Sequence, residues 1–251
     1  AALGPIPYGV PSGPQFQEQI QAPFFAYWLH GTGPRPTSGV KSFQSGSWTW
    51  KSYPGWPVPG AKPTDLYLHA DGSLSFTAPA ASEGCRDYVS DPANPVPFRT
   101  RPMSGTYLSP DWSWWEAADQ RFLQGRPDVL SYTSAPLDAD LTVTDYAKSL
   151  NGYQLPIAMD VRRGRFLASD TTPQALVPNK VTRWDVPLRE HDHVFLKGHR
   201  IMVQVQSSWF PVIDRNPQSF VPNIARATPS DFVKATQQVC AGSKIVLPVV
   251  R

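Results

Sequence analysis

Leu66-Tyr67-Leu68-His69-Ala70-Asp71-Gly72-Ser73-Leu74-Ser75-Phe76 reads as a strand, an Asp-Gly turn and a second strand. Asp-Gly between apolar runs is a strong short-range hairpin signal, because glycine enters the positive-φ conformation that a tight turn requires. Farther along, Arg200-Ile201-Met202-Val203-Gln204-Val205-Gln206 alternates cleanly. Ile201, Val203 and Val205 face one way and Gln204 and Gln206 the other, so one face packs and the other is wet or hydrogen-bonded. Working outward, Val129–Thr133, Leu141–Thr144, Ile157–Phe166, Val181–Pro187, Val194–Leu196, Thr236–Cys240 and Lys244–Val249 supply further short strands at fairly even spacing. This predicts an all-β fold, a jelly-roll-like β-sandwich. With no internal repeat or low-complexity linker, residues 62–251 are expected to form the sandwich and residues 1–61 a short, partly helical N-terminal extension.

Two helices are expected outside the strands. From Pro14 to Leu29, Phe16, Ile20, Phe24 and Tyr27 or Trp28 recur three and four apart, with Gly31 as the stop. Pro23 should break or kink this pattern at Ala22, giving two short helical pieces rather than one rod. Asp111–Gln124 is the other, capped by Asp111 or Ser113 and ended by Gly125 and Pro127. The Pro- and Gly-rich stretch 31–63 holds a possible strand at Ser47–Lys51, and its order must come from tryptophan packing.

Composition agrees with a folded chain. The 251 residues include 28 Pro and 17 Gly, about 18% of positions and short of the roughly 25–30% that marks disorder. Aromatics make up 12% and charged residues only 17%, which disfavours long helices and fits strands joined by ordered loops. A net charge of +3 without a run of like charges gives no electrostatic footprint for nucleic acid or an anionic membrane. Apolar stretches break at proline before reaching the length of a membrane span. AALGPIPYGVPSGP has no basic start and apolar run, so it does not read as a signal peptide. Cys85 and Cys240 allow one disulfide or two free buried thiols.

Sites for chemistry are mostly missing. No G-x-S-x-G pentapeptide offers a nucleophile elbow. Gly31-Thr32-Gly33 runs into Pro34, which cannot donate to a phosphate, so a nucleotide cradle is not expected. His191-Asp192-His193 has metal-clip spacing but no third ligand, and a solvated loop is the expectation. No catalytic residue, metal site or cofactor is assigned. Trp48, Trp50 and Trp56 with Tyr53, and Trp112, Trp114 and Trp115, form two aromatic clusters whose simplest use is core or interface. Their exposure would instead favour a stand-alone carbohydrate- or ligand-binding module. The segment 207–218 makes a polar corner, and Trp209, Phe210, Asp214, Arg215 and Asn216 are the interface or pocket-rim candidates. They form either an internal turn network or a docking point for a neighbouring domain.

The strings KPTDLYLHADGSLSF, DYVSDPANPVPF, DQRFLQGRPDVLSYTSAPLDADLTVT, GYQLPIAMDVRRGRF and GHRIMVQVQSSWFPVIDRNPQSFVPNI resemble the C-terminal part of α-amino-acid ester hydrolases. These are serine hydrolases grouped with glutaryl-cephalosporin acylases, cocaine esterase and Xaa-Pro dipeptidyl peptidases. The likeness runs from about Lys62 to Thr236. It implies a C-terminal jelly roll in an enzyme whose Ser-His-Asp triad lies in an α/β-hydrolase domain and works through an acyl-enzyme. QEQIQAPFFAYWLHGTGP resembles the last stretch of that domain. The resemblance places no triad member on this chain, and so implies a non-catalytic portion whose partner is an α/β-hydrolase domain or chain, with homo-oligomerisation and a periplasmic or secreted location as family-level expectations. Relatives also carry two further strands after the position of Thr144, which implies a chain shortened near Thr144–Asp145.

Overall fold

The computed structural model describes residues 2–36, 39–102, 112–139, 141 and 152–250. The Thr144–Asp145 junction therefore lies outside the described residues, as does most of the Leu141–Thr144 strand.

The Asp71-Gly72 turn forms between β5 (Lys62–Leu68) and β6 (Ser73–Ser75), with Gly72 at φ 88°. The Ser73 amide donates to the Asp71 carboxylate at 2.8 Å, and the His69 amide donates to the Ser73 carbonyl at 3.0 Å. The remaining strands are β1 (Ala2–Leu3), β2 (Ile6–Pro7), β3 (Val40–Gln44), β4 (Thr49–Tyr53), β7 (Cys85–Ser90), β8 (Val129–Ser134), β9 (Met202–Gln206), β10 (Ala235–Cys240) and β11 (Lys244–Val249). A five-stranded sheet runs β11-β5-β6-β8-β9, antiparallel except for the β6–β8 pair. β7 and β10 form a two-stranded ribbon in which Cys85 is registered opposite Cys240, and the two are joined as a disulfide.

The period-2 pattern places the core between sheet and ribbon. Leu66 and Leu68 of β5, Leu74 of β6 and Leu130 and Tyr132 of β8 are buried in one cluster with Ile201, Leu137 and Tyr88 of β7. Val203 and Val205 of β9, Val239 of β10 and Leu247 of β11 close its margin. Arg86 ties the layers, donating from Nη1 to the Ser131 carbonyl at 2.9 Å with its guanidinium 4.7 Å over the Tyr132 ring. The fold is all-β.

Several expectations are corrected. The helix does not break at Pro23: α1 (Ser12–Phe16) passes through a π-helical turn at Gln17–Gln21 into α2 (Ala22–His30). The wide turn puts Pro23 in the first turn of α2, where its missing N–H costs nothing. Gly31 ends α2 as expected, at φ 65°, with Gly31 and Thr32 amides donating to the Tyr27 and Ala26 carbonyls, a Schellman arrangement. Asp111–Gln124 is not one helix. α3 covers Trp112–Glu116, and a separate 3-10 turn at Gln120–Leu123 is capped by Asp119, whose carboxylate accepts from the Arg121 amide. Of the proposed caps, Asp111 lies outside the described residues, and Ser113 sits within α3.

Ile157–Phe166 and Val181–Pro187 are not strands; the first ends in a 3-10 turn and the second has no ladder partner among the described residues. Val194–Leu196 makes only single bridges, through His193 to Ser45 and Phe195 to Leu141. β3 and β7 were not expected at all.

Candidate docking surface

The most prominent unmatched feature is the outer face of α1, the π turn and α2. None of their residues is buried. Phe16, Phe24, Phe25, Trp28 and Leu29 all stand in solvent, Trp28 at 54% and Leu29 at 69% exposure. The rings pack on one another along the helix, Phe24 on Phe25 at 5.5 Å and Tyr27 on Trp28 at 5.0 Å, and Arg35 caps Trp28 at 5.8 Å. Phe16, though exposed, also stacks on Trp50 of β4 at 5.7 Å.

A second apolar element lies in the segment 157–191. Residues 170–191 are exposed without interruption, Val181 at 84%, together with Leu176, Val177, Trp184, Val186 and Leu188. The segment folds over itself at Gly164, where an added Cβ would lie 2.7 Å from Leu176 and 2.9 Å from Trp184. It is tethered by the Gln174 amide to the Arg165 carbonyl at 2.8 Å and by Trp56 Nε1 to Glu190. Over the whole chain 16185 Å² is accessible to solvent, against about 11,000 Å² for a compact monomer of about 28 kDa.

The candidates of the polar corner do not converge on a pocket. Phe210 exchanges backbone hydrogen bonds with Val96 and Phe98 at 2.8 Å, and Trp209 packs edge-on against Phe98 at 4.5 Å. Asp214 accepts from Arg163, Arg215 lies 4.6 Å over the Phe232 ring, and Asn216 accepts from the Gln218 amide at 3.1 Å. Trp209 and Phe210 share Phe98, while Asp214, Arg215 and Asn216 each have a neighbour of their own, so the five are not gathered on one site. Of the first cluster, Trp48 and Trp50 are half-buried against rings of their own chain, Trp48 on Tyr8 at 4.7 Å and Trp50 on Phe43 at 5.2 Å, and Trp56 is exposed. The Trp112 side chain lies outside the described residues.

His191-Asp192-His193 is not a solvated loop, because only His191 is exposed. The Asp192 carboxylate accepts from Gln44 Nε2 at 2.8 Å and from the Tyr53 hydroxyl at 3.3 Å. Removal from water and the adjacent Asp192 charge push the Tyr53 hydroxyl up from its ordinary value. His193 Nδ1 lies 2.8 Å from Ser45 Oγ, and burial, assisted by the His191 and His199 charges against the opposing pull of Asp192, lowers it to about 4. A hydroxyl beside an imidazole is two thirds of a hydrolytic triad, but the acid here points elsewhere, to Gln44 and Tyr53. Ser45 Oγ also bonds the Asp192 carbonyl at 3.1 Å. Among the described residues no hydroxyl, imidazole and carboxylate stand in line, and no group of three His, Cys, Asp or Glu is placed to hold a metal ion.

The family described as the X-Pro dipeptidyl-peptidase C-terminal non-catalytic domain matches residues 22–148 and 156–244. The chain belongs to that family. Its relatives agree: the chain is 29% identical to the cocaine esterase of Rhodococcus sp. (strain MB1 Bresler) over 84% of its own length and 42% of that protein's. A putative serine esterase of Mycobacterium tuberculosis (strain CDC 1551 / Oshkosh) is 27% identical over 80% of this chain and 36% of its own. Among solved structures, an α-amino acid ester hydrolase superposes with a TM-score of 0.90 at 35% identity, covering 99% of this chain and 47% of that one. An aminopeptidase from a marine-sediment Thaumarchaeota archaeon gives 0.88 at 36%, covering 96% and 44%. The chain thus spans less than half the length of the relatives it matches. As a non-catalytic domain of this family it needs no triad, and the Ser45–His193 contact is a structural joint.

Proposed function

We propose that this domain is the β-sandwich portion of a serine hydrolase acting on α-amino-acid esters or amides or on X-Pro peptides, and that it covers one side of an α/β-hydrolase catalytic region. The observation that carries this is the unbroken row Phe24, Phe25, Trp28 and Leu29 on α2, all exposed. Contiguous exposed apolar side chains of this kind mark protein interfaces. The hydrolytic chemistry, an acyl-enzyme formed at an activated serine with its oxyanion held by fixed donors, belongs to the catalytic region. The Cys85–Cys240 disulfide favours an oxidising compartment and so a periplasmic or secreted enzyme.

The test has two arms. The isolated chain should turn over neither a p-nitrophenyl ester nor an α-amino-acid ester, and turnover abolished by a serine-directed organophosphonate would refute the assignment. The isolated chain should also bind an apolar dye, and release it when an α/β-hydrolase segment of the same family is supplied in trans. Dye lost instead through self-association of the chain would reassign the surface to a homo-oligomer.

A further inference from the structure

Residues 170–191 make the longest uninterrupted exposed run among the described residues, and from 180 to 190 the backbone has neither helix nor ladder. Both ends of this arm are anchored, the Gln174 amide on the Arg165 carbonyl at 2.8 Å and Trp56 Nε1 on Glu190. Between the anchors lie Lys180, Arg183 and Arg189. A protease grips several consecutive residues of its substrate in extended form, and exposed segments are where nicking concentrates.

Around Arg183 that condition is met without rearrangement. Residues 181–187 make no backbone–backbone hydrogen bond with any described residue. The Arg183 guanidinium is forked on Asp185 at 2.9–3.0 Å, a solvated pair that is readily released. Lys180 closes the turn Val177-Pro178-Asn179-Lys180, its amide on the Val177 carbonyl at 3.3 Å and Asn179 at φ 60°. This is the proline-second pattern of a type II turn, and opening its one exposed bond extends the chain there too. Arg189 is different, because the residues after it are held, Glu190 by Trp56 and Asp192 by Gln44 and Tyr53. Outside the arm, Lys41 and Lys244 lie in ladders. Arg35, Arg101 and Arg126 each precede a proline, whose ring and missing N–H obstruct the scissile bond.

The topology decides what a cut would leave. β9, β10 and β11 follow the arm and pair with β8, β7 and β5 before it, and the Cys85–Cys240 disulfide spans it. We propose that the arm is a processing site for a trypsin-like serine endopeptidase, which takes a basic side chain into an acidic pocket and cuts at Arg183–Trp184 or Lys180–Val181. The product is a two-chain domain held by three ladders and one covalent bridge. One water is consumed: the peptide C–N bond breaks, the carbonyl carbon takes the oxygen as a new carboxylate, and the nitrogen leaves as an α-ammonium. The proposal rests on the arm and the disulfide and is independent of the hydrolase reading.

Brief digestion of the full chain with trypsin, read by mass spectrometry and by gels with and without reductant, tests this. The first product should have the mass of the intact chain plus one water, migrate as one species without reductant, and part with reductant into two pieces divided after residue 183 or 180. The variant K180Q/R183Q, altered only at exposed side chains, should slow the first cut at least tenfold. Urea held below the unfolding transition, corrected for its effect on trypsin with a small peptide substrate, should change the rate by less than about threefold, because an arm already open does not wait for unfolding. An intact chain, a first cut elsewhere, pieces that separate without reductant, an unslowed double variant or a greater acceleration in urea would each overturn the proposal.

Discussion

Acid should loosen the joint between β3 and the Asp192-His193 segment, and His193 sets where. Its imidazole is held neutral at 2.8 Å from Ser45 Oγ, with its protonation lowered from the ordinary 6.5 to about 4. A base whose folded value is depressed binds fewer protons in the native than in the unfolded chain over that interval, so stability rises with pH between about 4 and 6.5. The contribution is complete above the unfolded value, is lost progressively as pH falls from about 6.5 to 4, and falls no further below. At 1.36 kcal/mol per unit the interval corresponds to about 3 kcal/mol, a large fraction of the 5–15 kcal/mol typical of a domain.

His193→Asn isolates the effect, because an amide oxygen keeps an acceptor near Ser45 Oγ without titrating. Urea unfolding of both proteins at steps from pH 4 to 8, followed by tryptophan fluorescence, should show the variant about 1 kcal/mol less stable at pH 8. The difference should shrink and then reverse toward pH 4. Asp65, Asp71, Asp91 and Asp231, held by hydrogen bonds below the usual carboxylate range, lose their contribution at lower pH and equally in both proteins. Parallel stability curves for the two proteins from pH 4 to 6.5 would refute the argument.

Leu66 is fully buried at the centre of the main cluster. Leu66→Ala should therefore cost about 2–5 kcal/mol in urea, and a loss under about 1 kcal/mol would mean that the core lies elsewhere. The disulfide joins residues 155 apart in sequence, so the double variant C85A/C240A should lose about 2–5 kcal/mol of stability, with chain entropy setting an upper bound near 5; thermal unfolding with and without reductant checks it. The variant F24S/W28S should change stability by less than about 1 kcal/mol while lowering apolar-dye binding, and a large drop in the melting temperature would show that the helix face packs within this domain.

The hairpin at Asp71-Gly72, the strands β9 and β11 and the Gly31 stop were legible because each is fixed by residues adjacent in sequence. β7 was not. Cys-Arg-Asp-Tyr-Val-Ser carries two charges among its first three residues, and its inward face is Arg86, Tyr88 and Ser90, of which only Tyr88 joins the hydrophobic core. The Asp192-His193 joint was equally hidden, since its partners Gln44 and Ser45 lie 148 residues away and a contact so distant leaves no local spacing. For Trp209 to Asn216 the polar character was legible but the destination was not: three neighbours from separate segments, Phe98, Arg163 and Phe232, divide the run among them.

The unpaired state of Val181–Pro187 bears on function. Trp184, Val186 and Leu188 do recur at every second residue, and all three remain substantially exposed. Alternation of that kind stabilises a strand only when one face is buried and the backbone finds a ladder. Here the described residues provide neither, so the pattern survives in an extended arm without pairing. The same holds for α2, where helical periodicity is correct and the apolar stripe points to water. Inside the sandwich, by contrast, the period-2 residues of β5 and β8 are buried as their spacing demands. The pattern and the packing disagree in both elements, and for α2 the proposed burial against the hydrolase region would resolve the disagreement.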